Sequence, residues 1–255
     1  MAGSLHVEDL APGIRALTLS NPTKKNAIDA GMLDALETAL RNGGDVRAWL
    51  VRSDDASVFS AGYDLNALAK YPEGTPLPDE RLGDVLDLLA SHHAPSVALV
   101  RGAAVGAGCE LAVACDFRIG IEPTRFVMPP ARVGVVYALR GMARVRSCAG
   151  AQLTRRMFLL GKAVESEEAL RFGLLDAVVA EADAAKEATA LCEQLATQLA
   201  PLAVRGMKRG LQLVESGVRE DAPYEVLRRE SFNSADAKEG RDALLERRSP
   251  RFSGR

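Results

Sequence analysis

The sequence is poor in most of the residue classes that would place a protein by composition alone. Aromatic residues make up 5% of its 255 positions, with a single Trp, and nowhere do rings alternate with basic side chains, so stacking on single-stranded nucleic acid is not expected. Neither sign of charge is in excess: 32 Lys and Arg stand against 34 Asp and Glu, which argues against nucleic acid as the main partner. The four cysteines, Cys109, Cys115, Cys148 and Cys192, form no CxxC pair and have no histidine at metal-ligand spacing. A metal site or a disulfide framework is therefore not expected, and reduced thiols in a cytoplasm fit best. No apolar run approaches the ~20 residues that span a bilayer, and the start, MAGSLHVEDLAPG, has no basic stretch leading into an apolar core. The expectation is a protein neither secreted nor membrane-embedded. GxGxxG, GxxxxGK[ST] and solenoid repeats are also missing, so neither a dinucleotide fold nor a P-loop is supported.

What is present is apolar. At 47% hydrophobic residues the chain can bury a sizeable core, as one large domain or one domain with a helical appendage. It is organised around Val97 to Asp116, VALVRGAAVGAGCELAVACD, where a buried-strand run feeds through a turn rich in glycine (Gly102, Gly106, Gly108) into an apolar helix. Small residues let backbone approach a ligand, and a helix's first amides lack intrahelical partners, so Ala107 and Gly108 can present N–H donors to a negative oxygen. Glu110 falls in that first turn.

Around this stretch the pattern predicts strands at Ile14 to Leu19, Ala48 to Arg52, Val97 to Val100, Phe117 to Ile121 and Leu175 to Val179. Helices are predicted from an Asp29 cap to Leu40, with Met32, Leu33, Leu36 and Leu40 on one face, and over Asp79 to Ser91. Others are expected over Ala151 to Leu160, from a Ser166 cap to Gly173, and beyond residue 180 to the end. Lys70 to Pro78 reads as an exposed loop, and Phe126 to Gly141 as an irregular passage stiffened by its prolines. FSAGYDL, residues 59 to 65, repeats the arrangement of AAVGAGCE, a small-residue turn after a strand, with Asp64 as a cap for a short helix. If the two strands are neighbours, the N–H groups of Tyr63 and Ala107 converge on one oxygen. His6, His92 and His93 lie outside these motifs, and His92-His93 at a helix end suits contact with free carbonyls.

Six segments in this order, NPTKKNAID, FSAGYDL, GAAVGAGCELAVACDFRIG, FVMPPARVGVVY, SEEALRFGLLDAVV and LLERRSPRF, resemble the crotonase (enoyl-CoA hydratase/isomerase) superfamily over nearly the whole chain. The resemblance implies an α/β fold, a ββα spiral core over 1–180 holding an acyl-CoA site. It also implies a helical C-terminal subdomain over 181–255 for oligomerisation and CoA contacts. An acyl-CoA substrate, no tightly bound cofactor beyond the CoA of the substrate itself, and a homotrimer or hexamer are implied as well. The donors of the oxyanion hole fall on Tyr63, after Ala61 and Gly62, and on Ala107, between Gly106 and Gly108, with Asp64 beside the first.

Glu110 matches the first of two catalytic glutamates in family hydratases, and the second position is Pro130, which puts standard two-carboxylate hydration in doubt. Tyr137 stands a few residues on, where methylmalonyl-CoA decarboxylase, a family member, also has a tyrosine. Arg140 is a candidate to hold a carboxylate substrate, and Lys24, Lys25, Arg248 and Phe252 are candidates for CoA. Local readings compete: a glutamate in a first turn serves the helix dipole, Tyr137 can be a core residue with a satisfied hydroxyl, and a basic end can simply be solvated. The reading is an enoyl-CoA hydratase/isomerase-type enzyme with Glu110 as acid/base. Decarboxylation of a malonyl-type thioester, thioester hydrolysis, and a non-catalytic acyl-CoA-binding or RNA-associating protein are the alternatives.

Overall fold

The computed structural model describes residues 3–64, 74 and 77–255. One mixed sheet runs through it, with strands β1 (Ser4–Ala11), β2 (Ile14–Ser20), β3 (Ala48–Ser53), β4 (Val58–Ser60), β5 (Ser96–Val105), β6 (Phe117–Val127), β7 (Val164–Glu165) and β8 (Ala177–Val179). Their order is β1-β2-β3-β5-β6-β7, with β4 beside β5 and β8 beside β6. β1 pairs antiparallel with β2, while β2, β3, β5 and β6 are mutually parallel neighbours. This is an α/β fold with a helical C-terminal part.

Helices cover both faces because the parallel strands are apolar on both. On one side Trp49, Val51, Ala98, Val100 and Phe126 pack against α1 (Ala30–Arg41), α2 (Pro78–Ser91), α3 (Ala107–Ala114) and α4 (Leu139–Leu160). On the other, Ile14, Ala16, Leu50, Val97 and Ile119 meet Ala184, Ala188 and Cys192 of α6 (Glu181–Glu193), which follows α5 (Ser166–Arg171). α7 (Pro201–Glu215), α8 (Ala222–Phe232) and α9 (Ala235–Glu246) complete the chain. α7 is tied to the core by Lys208, whose buried ammonium donates to Asp116 at 2.7 Å and to the Ala94 carbonyl at 3.2 Å. All eight residues of α3 are buried, as expected of a helix with no polar face.

Asp29 caps α1 as its sequence predicts, accepting from Met32 N–H at 3.0 Å. Elsewhere the chain departs from the predicted pattern. β5 does not stop at Val100, and Gly102 lies inside it rather than in the turn. Gly102 has φ +59°, and a Cβ there would run into the Ser57 carbonyl. Its kink lets the first half of β5 pair with β3 and the second half with β4, so the strand changes neighbours ahead of α3. β6 likewise continues past Ile121 to Val127. β1 has no expectation behind it: it is a mostly exposed edge strand, so its residues need no alternation.

Ser166 does not cap α5. It sits inside the helix, and its hydroxyl donates to the Thr124 carbonyl at 3.0 Å and accepts from Thr124 N–H at 2.8 Å. Ala151 to Leu160 is the second half of a longer helix that bends at Gly150. Of the two histidines, His93 does meet a carbonyl, that of Val46 at 3.2 Å. His92 instead accepts from Trp49 Nε1–H and Ala94 N–H, both at 3.0 Å, and burial pushes its pKa down to about 4. The short helix after Asp64 and most of the Lys70 to Pro78 loop lie outside the described residues.

Candidate active site

Two backbone turns meet at the end of the kinked strand. At the first, Gly106 N–H donates to the Val127 carbonyl at 2.8 Å and Glu110 N–H to the Gly106 carbonyl at 2.9 Å, which opens α3 and leaves over the N–H groups of Ala107, Gly108 and Cys109, of which Ala107 lines the cavity. At the second, Ile28 N–H donates to the Gly62 carbonyl at 2.7 Å and Asp64 N–H to the Ile28 carbonyl at 3.0 Å, so this bridge consumes the groups on either side of Tyr63 and not Tyr63 N–H itself. Ala61 N–H, bonded to the Lys25 carbonyl at 2.9 Å, continues the clamp. Among the described residues neither Tyr63 N–H nor Ala107 N–H has a hydrogen-bond partner.

The turns are also close to each other. A Cβ on Gly62 would stand 2.7 Å from the Val105 carbonyl and 3.7 Å from Ala107 N, so only glycine allows this approach. Gly108 does the same for the helix: a Cβ there would come within 2.6 Å of Ser60 Cβ. Tyr63 and Ala107 thereby share the wall of a cavity of about 400 Å³, with Ala61, Gly62 and Gly106 beside them. The rest of the wall is largely apolar: Leu77, Leu82, Val105, Pro129, Pro130, Val133, Val135, Val136 and Tyr137. Val136 is 95% exposed and Val133 and Val135 about half, so the described rim of the mouth is apolar and exposed on this side.

Glu110 lies behind this wall, not in it. It is 2% exposed, and Tyr137 O–H donates to its Oε2 at 2.5 Å while the Arg144 guanidinium holds Oε1. Burial raises the Glu110 pKa above the ordinary carboxylate range, against the opposing pull of Tyr137 and Arg144. Burial, and then the charge of Glu110, pushes the Tyr137 phenol well above its usual value, so Tyr137 keeps its proton. The Tyr137 ring stands edge-on to Phe158 at 5.5 Å, and it is this residue that carries the pair to the cavity surface. Gly141, one turn into α4, makes room for both groups: a Cβ there would be 2.5 Å from the Tyr137 ring and 2.8 Å from Glu110 Oε2.

Pro130 is in the wall as its motif position suggests, within a 3-10 turn that brings no carboxylate. Arg140 is not a free cation at the cavity. It donates to Asp84 at 2.8 Å, to Asp87 at 3.3 Å and to the Glu80 carbonyl, all on α2. The expectation that it awaits a substrate carboxylate gives way to a strut between α2 and α4, shared with Arg144, which reaches Asp87 and, at 3.1 Å, the Gly83 carbonyl. Lys24 is paired with Asp64 at 2.5 Å. Arg248 is held by Glu239 at 2.6 Å and by Glu246 at 2.6 Å, and Phe252 packs beside Gly240; neither is part of the cavity wall.

Two residues at the site escape the sequence reading. Arg144 has no motif, yet Arg140 and Arg144 are one turn apart and face Glu80, Asp84 and Asp87, an acidic stripe at helical spacing that signals a helix pair. Asp79, in the first turn of α2, is the acidic member of the cavity wall among the described residues; at a helix start a carboxylate reads as a dipole partner.

The enoyl-CoA hydratase/isomerase family model matches residues 10–255. A carnitinyl-CoA dehydratase from Salmonella typhi is 33% identical over the full length of both chains. Among solved structures, an enoyl-CoA hydratase/isomerase family protein from Hyphomonas neptunium superposes with a TM-score of 0.90 at 26% identity, covering 98% of each chain. An enoyl-CoA hydratase from Polaromonas sp. JS666 gives 0.86 at 26% identity, covering 98% of this chain and 99% of that one.

The packing at Gly141 yields a direct check. Gly141→Ala should lower stability by about 1–3 kcal/mol, the usual cost of overpacking, because the methyl can be accommodated only by parting Tyr137 from Glu110. Urea denaturation measures it, and an unchanged midpoint would mean the two groups are not held together through this contact.

Proposed function

The chain belongs to the enoyl-CoA hydratase/isomerase family, and from that premise we propose that it binds an acyl-CoA thioester and moves protons about the carbons next to the thioester carbonyl. The observation that carries this reading is the pair of unpartnered amides, Tyr63 N–H and Ala107 N–H, in one cavity wall. Donors fixed by the fold stabilise an oxygen that gains charge in the transition state more than they stabilise the neutral carbonyl, and one such donor is worth about 3–4 kcal/mol. A thioester enolate is such an oxygen.

Glu110 acts through Tyr137. As a carboxylate Glu110 accepts from the phenol; once protonated it donates to the phenol oxygen instead, its proton passing there as the phenol gives its own to an oxygen in the cavity, and the reverse transfer removes one. Burial raises the Glu110 pKa, the direction that favours its acid form, and the protonated phenol completes the relay. Water addition or removal and double-bond shift both run through the enolate. Decarboxylation of a malonyl-type thioester is the weaker reading, since Arg140 and Arg144 are engaged by α2 and the one charged side chain in the described wall is acidic.

The apolar wall and rim suit an acyl chain without negative charge. For the phosphates of CoA, Lys25 is a candidate cation: its carbonyl accepts from Ala61 N–H in the cavity wall, and its side chain has no ion pair among the described residues. Self-association is the natural cover for the helical C-terminal part, where Met207, Leu211 and Val214 form an exposed apolar face on α7. The four unpaired cysteines suit a reducing cytoplasm.

Product analysis by mass spectrometry with crotonyl-CoA, a 3-enoyl-CoA, 3-hydroxybutyryl-CoA and methylmalonyl-CoA tests the reaction. Water transfer or isomerisation is expected without loss of CO2 from methylmalonyl-CoA, with turnover falling about 10²–10⁴-fold in Glu110→Gln. Full activity of that variant on every substrate turned over would remove Glu110 from the mechanism. Sedimentation velocity should show a trimer or hexamer, reduced by Leu211→Glu; a wild-type monomer at micromolar concentration would contradict self-association.

A further inference from the structure

Water elimination from a β-hydroxyacyl thioester needs two proton movements, one off Cα and one onto the departing hydroxyl. The Glu110–Tyr137 relay can supply only the second, since Glu110 is closed off behind Tyr137 with both oxygens engaged. The second family carboxylate is replaced by Pro130. Neither the two amides nor the relay supplies a base for Cα.

Resting on the functional reading above, we infer that Asp79 is this base, a carboxylate supplied from α2 in place of the one Pro130 removes. Three observations carry the assignment. Asp79 is in the wall of the same cavity as Tyr63, Ala107, Pro130 and Tyr137. Its carboxylate has no hydrogen-bond or ion-pair partner among the described residues, whereas Asp84 and Asp87 of α2 are bound to arginines, and Glu80, also without a side-chain partner, is outside the cavity wall. The end of α2 that bears it is held against α4 by Arg140 and Arg144, so it is fixed relative to Tyr137. Its negative charge is felt by the groups around the cavity, adding to the upward shifts of Tyr63, Glu110 and Tyr137.

The step balances. Asp79 takes the proton from Cα, and the C–H electron pair moves into the enolate whose oxygen the two amides hold. The pair then returns to form the Cα–Cβ double bond as the Cβ–O bond breaks. The hydroxyl leaves as water on the proton that Glu110 delivers through Tyr137. Asp79 ends as the acid and Glu110 as the carboxylate, and exchange with solvent resets both; hydration is the reverse.

Exchange of the α-protons of butyryl-CoA in D2O, followed by NMR, isolates the first half of this sequence because butyryl-CoA has no leaving group. Asp79→Asn should slow exchange about 10²–10⁴-fold, and Asp79→Glu, which restores a carboxylate, should recover part of it; matched circular dichroism spectra and melting temperatures show that both variants fold. Exchange in Asp79→Asn equal to wild type, or exchange that survives there but disappears in Glu110→Gln, would overturn the assignment. A wild-type protein that neither exchanges butyryl-CoA nor turns over any other acyl-CoA would instead overturn the functional reading, and this inference with it.

Discussion

The site depends on two amide hydrogens being denied a partner by the surrounding main chain. Nearly every buried N–H in a folded protein is bonded, so leaving one over takes a specific arrangement. For Tyr63 it is the bridge to Ile28, which uses Gly62 C=O and Asp64 N–H and steps across the residue between them. For Ala107 it is the start of α3, where Gly106 N–H goes to Val127 and the first intrahelical bond belongs to Glu110. Neither arrangement requires a particular side chain at position 63 or 107.

Bringing the two turns together is the work of the sheet. β5 leaves β3 and takes up β4 at Gly102, so the strands ending at Ser60 and Val105 run side by side and deliver their turns to the same place. The close approaches at Gly62 and Gly108 hold the turns there. Across the cavity the constraint is electrostatic. Glu110 is a buried acid that Tyr137 and Arg144 satisfy, and Arg144 shares with Arg140 the task of holding α2 to α4. An unpaired buried charge is costly, so Glu110, Tyr137, Arg144 and the acidic face of α2 form one unit.

Much of the fold could be read from the sequence where burial is one-sided and periodic. α1 is the clearest case, with its Asp29 cap and its Met32, Leu33, Leu36 and Leu40 stripe. The end of β5 could not be read that way, because Gly102 in RGAAVGAG looks like a turn residue and only the Ser57 backbone beside it explains why it is a strand kink. At the site, motif position located Tyr63, Ala107, Pro130 and Tyr137 in one cavity wall. The depth of Glu110 was not legible, since a residue in a first turn can face outward or inward. The places of Arg140 and Asp79 are not legible for one reason: they arise from the packing of α2 on α4, a contact between segments 53 to 60 residues apart that local pattern does not encode.

The most direct test of the whole account looks at the oxygen the two amides are held open for. The carbonyl carbon of butyryl-CoA labelled with 13C at C1 should move downfield when the thioester binds, because two hydrogen bonds to the oxygen withdraw electron density from the carbon. A bound thioester whose carbonyl resonance stays at its free position would contradict the central claim that Tyr63 N–H and Ala107 N–H polarise the substrate.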